Sequence, residues 1–310
     1  MTPAARTVLP TDLVALVSYD GRVYANEAIT RDRIGTQASP HPLETAFEQW
    51  FSFATGRHTW ISVKGPTLRG LVSARKRASK QAWEIDCLIH AADDDNGVLM
   101  SLLDQMTSAA GKSGAQKIFV RLPRGSDTAA IVSRCGFVPY LQEVVYRRRV
   151  DKGEEHAVCE ELRRREKADV YPLFQLYNAV VPHEVRRTEA MTFAEWSGGQ
   201  ESLGRTSQYV LEREGQVRGW LRVAGDGAIG RFDLLAGDET IDDLIEAALA
   251  KIANRESACA LVPEYQEGLR ARLEQRGFEP AEEYAVLVRR TVQLVKSPSV
   301  VPKLVKPTLG

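Results

Sequence analysis

The chain has 310 residues, 44% of them hydrophobic and 26% charged, and its 41 basic side chains balance 41 acidic ones. That length fits two domains of about 150 residues better than one, and the composition excludes disorder, a collagen-like repeat and a disulfide scaffold. A neutral chain is also a poor match for a dedicated binder of nucleic acid or anionic membrane, which is normally basic.

The neutrality conceals a gradient. Residues 1–150 carry 19 basic and 14 acidic side chains, and residues 151–310 carry 22 and 27. The two halves are therefore expected to attract and dock. The opening MTPAARTVLPTDLVALVSY lacks the apolar core of a signal peptide or anchor. No stretch reaches the ~18 apolar residues of a membrane helix, so a cytoplasmic protein with no membrane partner is expected. Cys87, Cys135, Cys159 and Cys259 form no CxxC pair. His41, His58, His90, His156 and His183 have no spacing that puts two ligands on one face, so no metal is expected. Cys87 and Cys259 lie in the apolar runs WEIDCLI and SACALV and read as small core residues.

In chain order, PHPLETAFEQWFSFA reads as a helix burying Trp50, Phe51 and Phe53. LRGLVSARKR and AWEIDCLIH alternate like two strands joined by a polar, basic hairpin. The helix that follows carries Val98, Leu99, Leu102, Leu103 and Met106 at helical spacing and stops at Gly111 and Gly114. KIFVRLP is a strand and DTAAIVSRC a helix; DKGEEHA, 151–157, is a polar linker.

The second half begins with helical segments ADVYPLFQLYNAVV and TFAEWSG. A hairpin then turns near Glu214-Gly215, and strand AIGRFDLLA, helix DETIDDLIEAALAKIA, strand ACALVPE and helix YQEGLRARLEQR follow. The tail LVKSPSVVPKLVKPTLG, 294–310, has three prolines and is expected to be extended.

The two halves repeat each other. IVSRCGFVPYLQEVVYRRRV and LEQRGFEPAEEYAVLVRRTV each run from a helix end through Gly-Phe into an alternating strand closing on paired arginines. The glycine suits a helix C-terminus because it enters the left-handed region without strain. Phe137 and Phe278 would plug the core.

This element order, carried by GAQKIFVRLPRGSDTAAIVSRCGFVPY and its counterpart in the second half, resembles the GNAT N-acetyltransferase superfamily. The resemblance covers almost the whole chain. It implies an α+β fold of two tandem GNAT-like domains, 1–150 and 158–293, each a mixed, mostly antiparallel sheet flanked by helices. It further implies acyl-CoA-dependent transfer of an acyl group to a small-molecule or peptide amine, with acetyl-CoA as co-substrate. The cofactor would lie along Leu88, His90, Asn96, Gly97 and Val98, where the family places its glycine-rich pyrophosphate loop. That loop works because glycines and a helix N-terminus bring backbone N–H groups to phosphate. Both loops here, Ala92-Asp93-Asp94-Asp95-Asn96-Gly97 and Ala236-Gly237-Asp238-Glu239-Thr240, are acidic instead. Acidic residues also suit a helix start as caps and dipole partners.

The resemblance puts the general base on the fourth strand. Glu84 and Asp86, at i and i+2, share one face there and are the catalytic candidates; Asp233 is the second half's counterpart. The family's tyrosine acid has no match: the aligned positions are Val132 and Leu273. The basic run ARKRASK, 74–80, fits either an adenosine 3′-phosphate or a solvated hairpin tip. Two readings stand. One is an acyltransferase, with the basic first half favoured as its active copy. The other is a GNAT scaffold that has lost acetyl-CoA and binds a ligand or partner, since fold alone does not imply activity.

Overall fold

The computed structural model describes residues 6–7, 25–35, 57–64, 67–91, 96–151, 153–154, 156–157 and 159–291. The expected helix over 40–54, the Asp93–Asp95 run and the tail 294–310 lie outside them. Strands β1 (Arg6–Thr7), β2 (His58–Lys64), β3 (Thr67–Lys76) and β4 (Ala82–His90) lead into helix α1 (Asn96–Lys112). Then come β5 (Lys117–Pro123), α2 (Asp127–Arg134) and β6 (Val138–Arg149). The second half has β7 (Leu162–Arg164), α3 (Val170–Val180), α4 (His183–Glu189), α5 (Phe193–Gly198), β8 (Thr206–Arg213) and β9 (Gln216–Asp226). It closes with β10 (Ile229–Ala236), α6 (Ile241–Ile252), β11 (Ser257–Pro263), α7 (Glu267–Gln275) and β12 (Glu279–Arg290).

Local chemistry explains the elements. The apolar stripe of α1 is wholly buried, Val98 through Met106. The hydroxyl of Ser126 caps α2 by accepting from Ala129 N–H at 3.2 Å. Gly136 and Gly277 sit at φ 82° and 76°, in the left-handed region where a Cβ is costly. Phe137 and Phe278 behind them are 1% and 2% exposed. Burying each contributes roughly 1.5–3 kcal/mol. The repeated Gly-Phe is thus one device used twice: a helix stop coupled to a core plug. Glu214 and Gly215 both take positive φ, as a tight hairpin turn requires.

All twelve strands among the described residues form one sheet, in the order β1-β2-β3-β4-β5-β12-β6-β11-β10-β9-β8-β7. The order holds a crossing that periodicity does not reveal. Strand β6 leaves the first half to pair with β11, and β12 returns from the second half to pair with β5. The two exchanged strands also pair with each other, antiparallel, along the centre. Helices α1 and α2 cover the first half's sheet, and α6 and α7 the second's. The aromatic-rich α3, α4 and α5 pack with Val210, Trp220 and the central residues Leu141 and Val286.

Among the described residues no helix is long and apolar enough to cross a membrane. None of their His, Cys, Asp and Glu side chains cluster in a group of three that could hold a metal. Cys87, Cys135 and Cys259 are buried free thiols, and Cys159 is half-buried.

Candidate functional site

Each half contains a pair of parallel strands that starts together and then parts. In the first half, β4 and β5 pair from Ala82/Lys117 to Glu84/Phe119 and then diverge. In the second, β10 and β11 pair from Ile229/Ser257 to Phe232/Ala260 and then diverge. The parted segment exposes backbone groups that no neighbouring strand satisfies, so something else must.

In the first cleft that something is the chain itself. Asn26 Oδ1 accepts from Leu88 N–H at 2.8 Å, and Asn26 Nδ2 donates to the Asp86 carbonyl at 3.1 Å. Glu27 N–H donates to the Leu88 carbonyl, and Ile29 N–H to the Arg121 carbonyl, both at 3.0 Å. The Thr128 hydroxyl donates to Glu27 Oε1 at 2.7 Å. Residues 26–29 therefore bridge β4 and β5 and satisfy both edges. Of the candidate cofactor residues, Leu88 is engaged with this bridge, while His90 and Asn96 border a surface groove with Glu27, Thr128 and Arg134. Gly97 and Val98 open α1, with Val98 buried.

Glu84 and Asp86 do lie on β4, but inside the protein, at 4% and 2% exposure. A bulge opposite Ser73 and Ala74 separates them. Asp86 faces Arg57 Nε at 2.8 Å. Glu84 meets Arg75 Nη2 at 2.9 Å and Arg77 Nη2 at 3.4 Å. Two cations of the ARKRASK run are thus turned inward, and Arg77 also stacks 4.0 Å over Phe119.

These groups belong to a buried ionic lattice at the centre of the sheet. Arg121 holds Glu143 (2.6 Å) and Glu201 (2.6 Å). Arg31 reaches Glu143 and Glu201 at 2.9 Å each and Asp233 at 3.1 Å. Arg222 pairs with Asp233 at 2.7 Å and donates to the Glu201 carbonyl at 3.0 Å. Charges buried this deeply persist only when neutralised by partners. Burial and the adjacent Glu201 carboxylate push Glu84 up to about 7, against the pull of Arg77 and Arg75. Burial also pushes Glu201 upward, but Arg121, Arg31 and Arg77 win and hold it well below the usual carboxylate range.

The second cleft opens into space. A cavity of about 840 Å³, mouth included, runs from the parted ends of β10 and β11 to the face under α3, α4 and α5. Tyr177, Trp196, Trp220, Leu261 and Tyr265 give it an aromatic and apolar wall. Asp233 lies in it but is committed to Arg222 and Arg31. Glu189, the last residue of α4, also lines it. Its carboxylate forms no ion pair among the described residues and accepts from the Tyr177 hydroxyl at 3.2 Å. Burial holds Glu189 above the ordinary carboxylate range, with Arg77, Arg31 and Tyr177 opposing. A half-buried carboxylate without an ion pair, set in a cleft, is the kind of group that moves protons.

The mouth is partly bridged. Gln266, just ahead of α7, donates from Nε2 to the Leu234 carbonyl at 3.4 Å. The acidic turn Asp238–Thr240 sits above it, and Arg213 and Arg272 pair with Asp243 and Asp242 in the next turn while donating to its carbonyls. Glu189 escaped the sequence reading because HEVRRTEA carries no motif; only the fold aims it inward. Arg31 and Glu201 were missed for the same reason.

No protein-family model matches this sequence, and no curated protein matches it. Solved structures do resemble it. A GCN5-related N-acetyltransferase from Sphaerobacter thermophilus aligns over 94% of this chain and 97% of its own, with TM-score 0.56 and 13% identity. A putative acetyltransferase from Pyrococcus horikoshii covers 94% and 90%, with TM-score 0.55 and 11% identity. Saccharomyces cerevisiae N-myristoyltransferase, with bound myristoyl-CoA, covers 93% and 80%, with TM-score 0.51 and 14% identity. The chain shares the fold of these acetyltransferase structures, with two GNAT-like units joined through one sheet. At these identities the likeness speaks for the fold.

Proposed function

We propose that the chain is an acyl-CoA-dependent N-acyltransferase working from the cleft of its second half. The observation that carries this reading is the opening between β10 and β11 onto a cavity that holds Glu189. The acyl-CoA thioester would enter between the parted strands, and the amine from the α3–α5 face. Glu189 takes a proton from the bound ammonium. The freed nitrogen attacks the thioester carbonyl, the C–S bond breaks, and the departing coenzyme A thiolate takes the second N–H proton to leave as the thiol. The aromatic wall excludes water and so protects the thioester from hydrolysis. This reading moves the base from Glu84, which is committed to arginines, to Glu189. It also moves the acetyl-CoA site out of the first half, where residues 26–29 occupy the equivalent gap.

Isothermal titration with acetyl-CoA tests it. Binding is expected, and Leu261→Trp, which fills the gap between the strands, should abolish it. No heat with acetyl-CoA or myristoyl-CoA at millimolar concentration would overturn it. The Gln266 bridge and the acidic turn favour a second reading, a cavity that binds a ligand without acyl transfer. No binding of acetyl-CoA, with binding of another small molecule in the cavity, would support that one.

A further inference from the structure

A second cavity, of about 710 Å³ with its mouth, adjoins the first. The two share Trp196, Gln200, Glu201, Trp220 and Arg222 as a common wall. The acyltransfer reading makes no use of this cavity, yet polar groups line it that have nothing to bind. Arg165 Nε, Gln208 Oε1 and Trp220 Nε1 are all buried without a hydrogen-bond partner. Trp220 as a whole is 8% exposed. Arg165 makes no ion pair among the described residues, and the nearby carboxylate that feels its charge, Asp169, is already held by Arg163 at 2.7 Å. Buried polar atoms in native proteins are nearly always satisfied, so orphans that gather in one cavity mark a place for a ligand.

Their arrangement follows from the sheet. Arg165 N–H donates to the Gln208 carbonyl at 3.0 Å, extending the β7–β8 pairing by one residue. Gln208 lies opposite Arg222, and Arg222 opposite Asp233. The four residues therefore form one rung across the strands, with side chains on the same face. The rung spans three strand spacings, roughly 14 Å, from the parted strands to the sheet edge. Its inner end lies in the cavity with Glu189, and its outer end is an uncommitted guanidinium.

We propose that this second cavity binds a carboxylate carried by the amine acceptor, so that the acceptors are amino-carboxylates. Arg165 and the Trp220 indole N–H donate to the carboxylate, and Gln208 Oε1 takes an N–H or O–H along the stem. The proposal rests on the acyltransfer reading for the word acceptor; the binding itself does not.

The test is equilibrium binding without any acyl-CoA. Glycine, β-alanine, 4-aminobutanoate and 6-aminohexanoate are titrated in parallel with the alkylamines lacking the carboxylate. At least one amino-carboxylate should bind tenfold or more tightly than its matched amine. Arg165→Gln, at a half-buried edge position, should weaken that binding by about tenfold or more, as loss of a charge-assisted hydrogen bond implies. Trp220→Phe, which keeps the packing ring, should weaken it severalfold. Arg165→Gln, which lies outside the first cavity, should leave acetyl-CoA affinity, measured separately, unaltered. No preference for the carboxylate in any pair would overturn the proposal, as would an Arg165→Gln protein that binds as the wild type does. Loss of acetyl-CoA binding to the unaltered protein would strike the acyltransfer reading alone.

Discussion

The two clefts are built from equivalent pairs of strands and end differently. In the first, residues 26–29 supply backbone and an asparagine amide to both exposed edges, through four hydrogen bonds of 2.8–3.1 Å. In the second, one longer bond from Gln266 bridges the gap, at 3.4 Å. The difference separates two uses of one geometry. Diverging strands create unsatisfied N–H and C=O groups wherever they occur. Filling them with the chain gives a rigid joint; leaving them open gives room for a ligand. Charge follows the same division. The acid on the filled side, Glu84, is ion-paired with Arg75 and Arg77, whereas Glu189 on the open side is hydrogen-bonded to Tyr177 and forms no ion pair among the described residues.

The contrast can be broken by experiment. Removing the proposed base should have the largest effect: Glu189→Gln is expected to lower kcat by about 10²–10⁴-fold, the range of general base catalysis, in a steady-state assay with a responsive amine. Glu84→Gln should leave kcat within severalfold; equal losses would erase the distinction between the clefts. In stability, Arg121→Met should be the most damaging change. It removes one of the two arginines that Glu143 and Glu201 share, leaving them to Arg31, at a cost of about 3–5 kcal/mol in chemical denaturation.

The bridging amides come next. Asn26→Ala removes three hydrogen bonds and should cost about 2–3 kcal/mol without changing acetyl-CoA affinity. Gln266→Ala should cost under about 1 kcal/mol and tighten acetyl-CoA binding severalfold by clearing the mouth. A reversal of those two outcomes would mean that the first cleft is the one that opens. A separate effect is on pH dependence. Glu84 rises from 4.5 to about 7 on folding, so the native state keeps a proton that the unfolded chain releases. Its contribution is complete below about pH 4.5 and is lost as the pH rises through 7. Denaturation midpoints across that window should therefore slope downward for this group, and Glu84→Gln should flatten the slope.

Much of the architecture was legible in the sequence because it is local. AWEIDCLIH and KIFVRLP match β4 and β5 residue for residue, and the α1 stripe is the buried face it spells. The left-handed glycines at 136 and 277 mark the two helix ends. The exchange of β6 and β12 was not legible, since alternation in VPYLQEVVYRRR fixes which side chains face inward but not which strand lies alongside. The lattice was hidden for a related reason: Arg31, Arg121, Glu143 and Glu201 are scattered over 170 positions and meet only in the fold. Short strand β2 and helix α4 carried no signal strong enough to register, and with α4 went Glu189.

The crossed central strands also bear on how the chain is made. Strand β12 comprises residues 279–290, yet it fills the slot between β5, finished by residue 123, and β6. A ribosome adding about 5–20 residues each second would leave the edge of β5 waiting for many seconds. During that interval the first half presents a bare hydrogen-bonding edge, the feature most prone to wrong pairing. The protein should therefore depend on chaperone cover late in translation, and a stop codon just before residue 279 should yield aggregates instead of a shortened monomer.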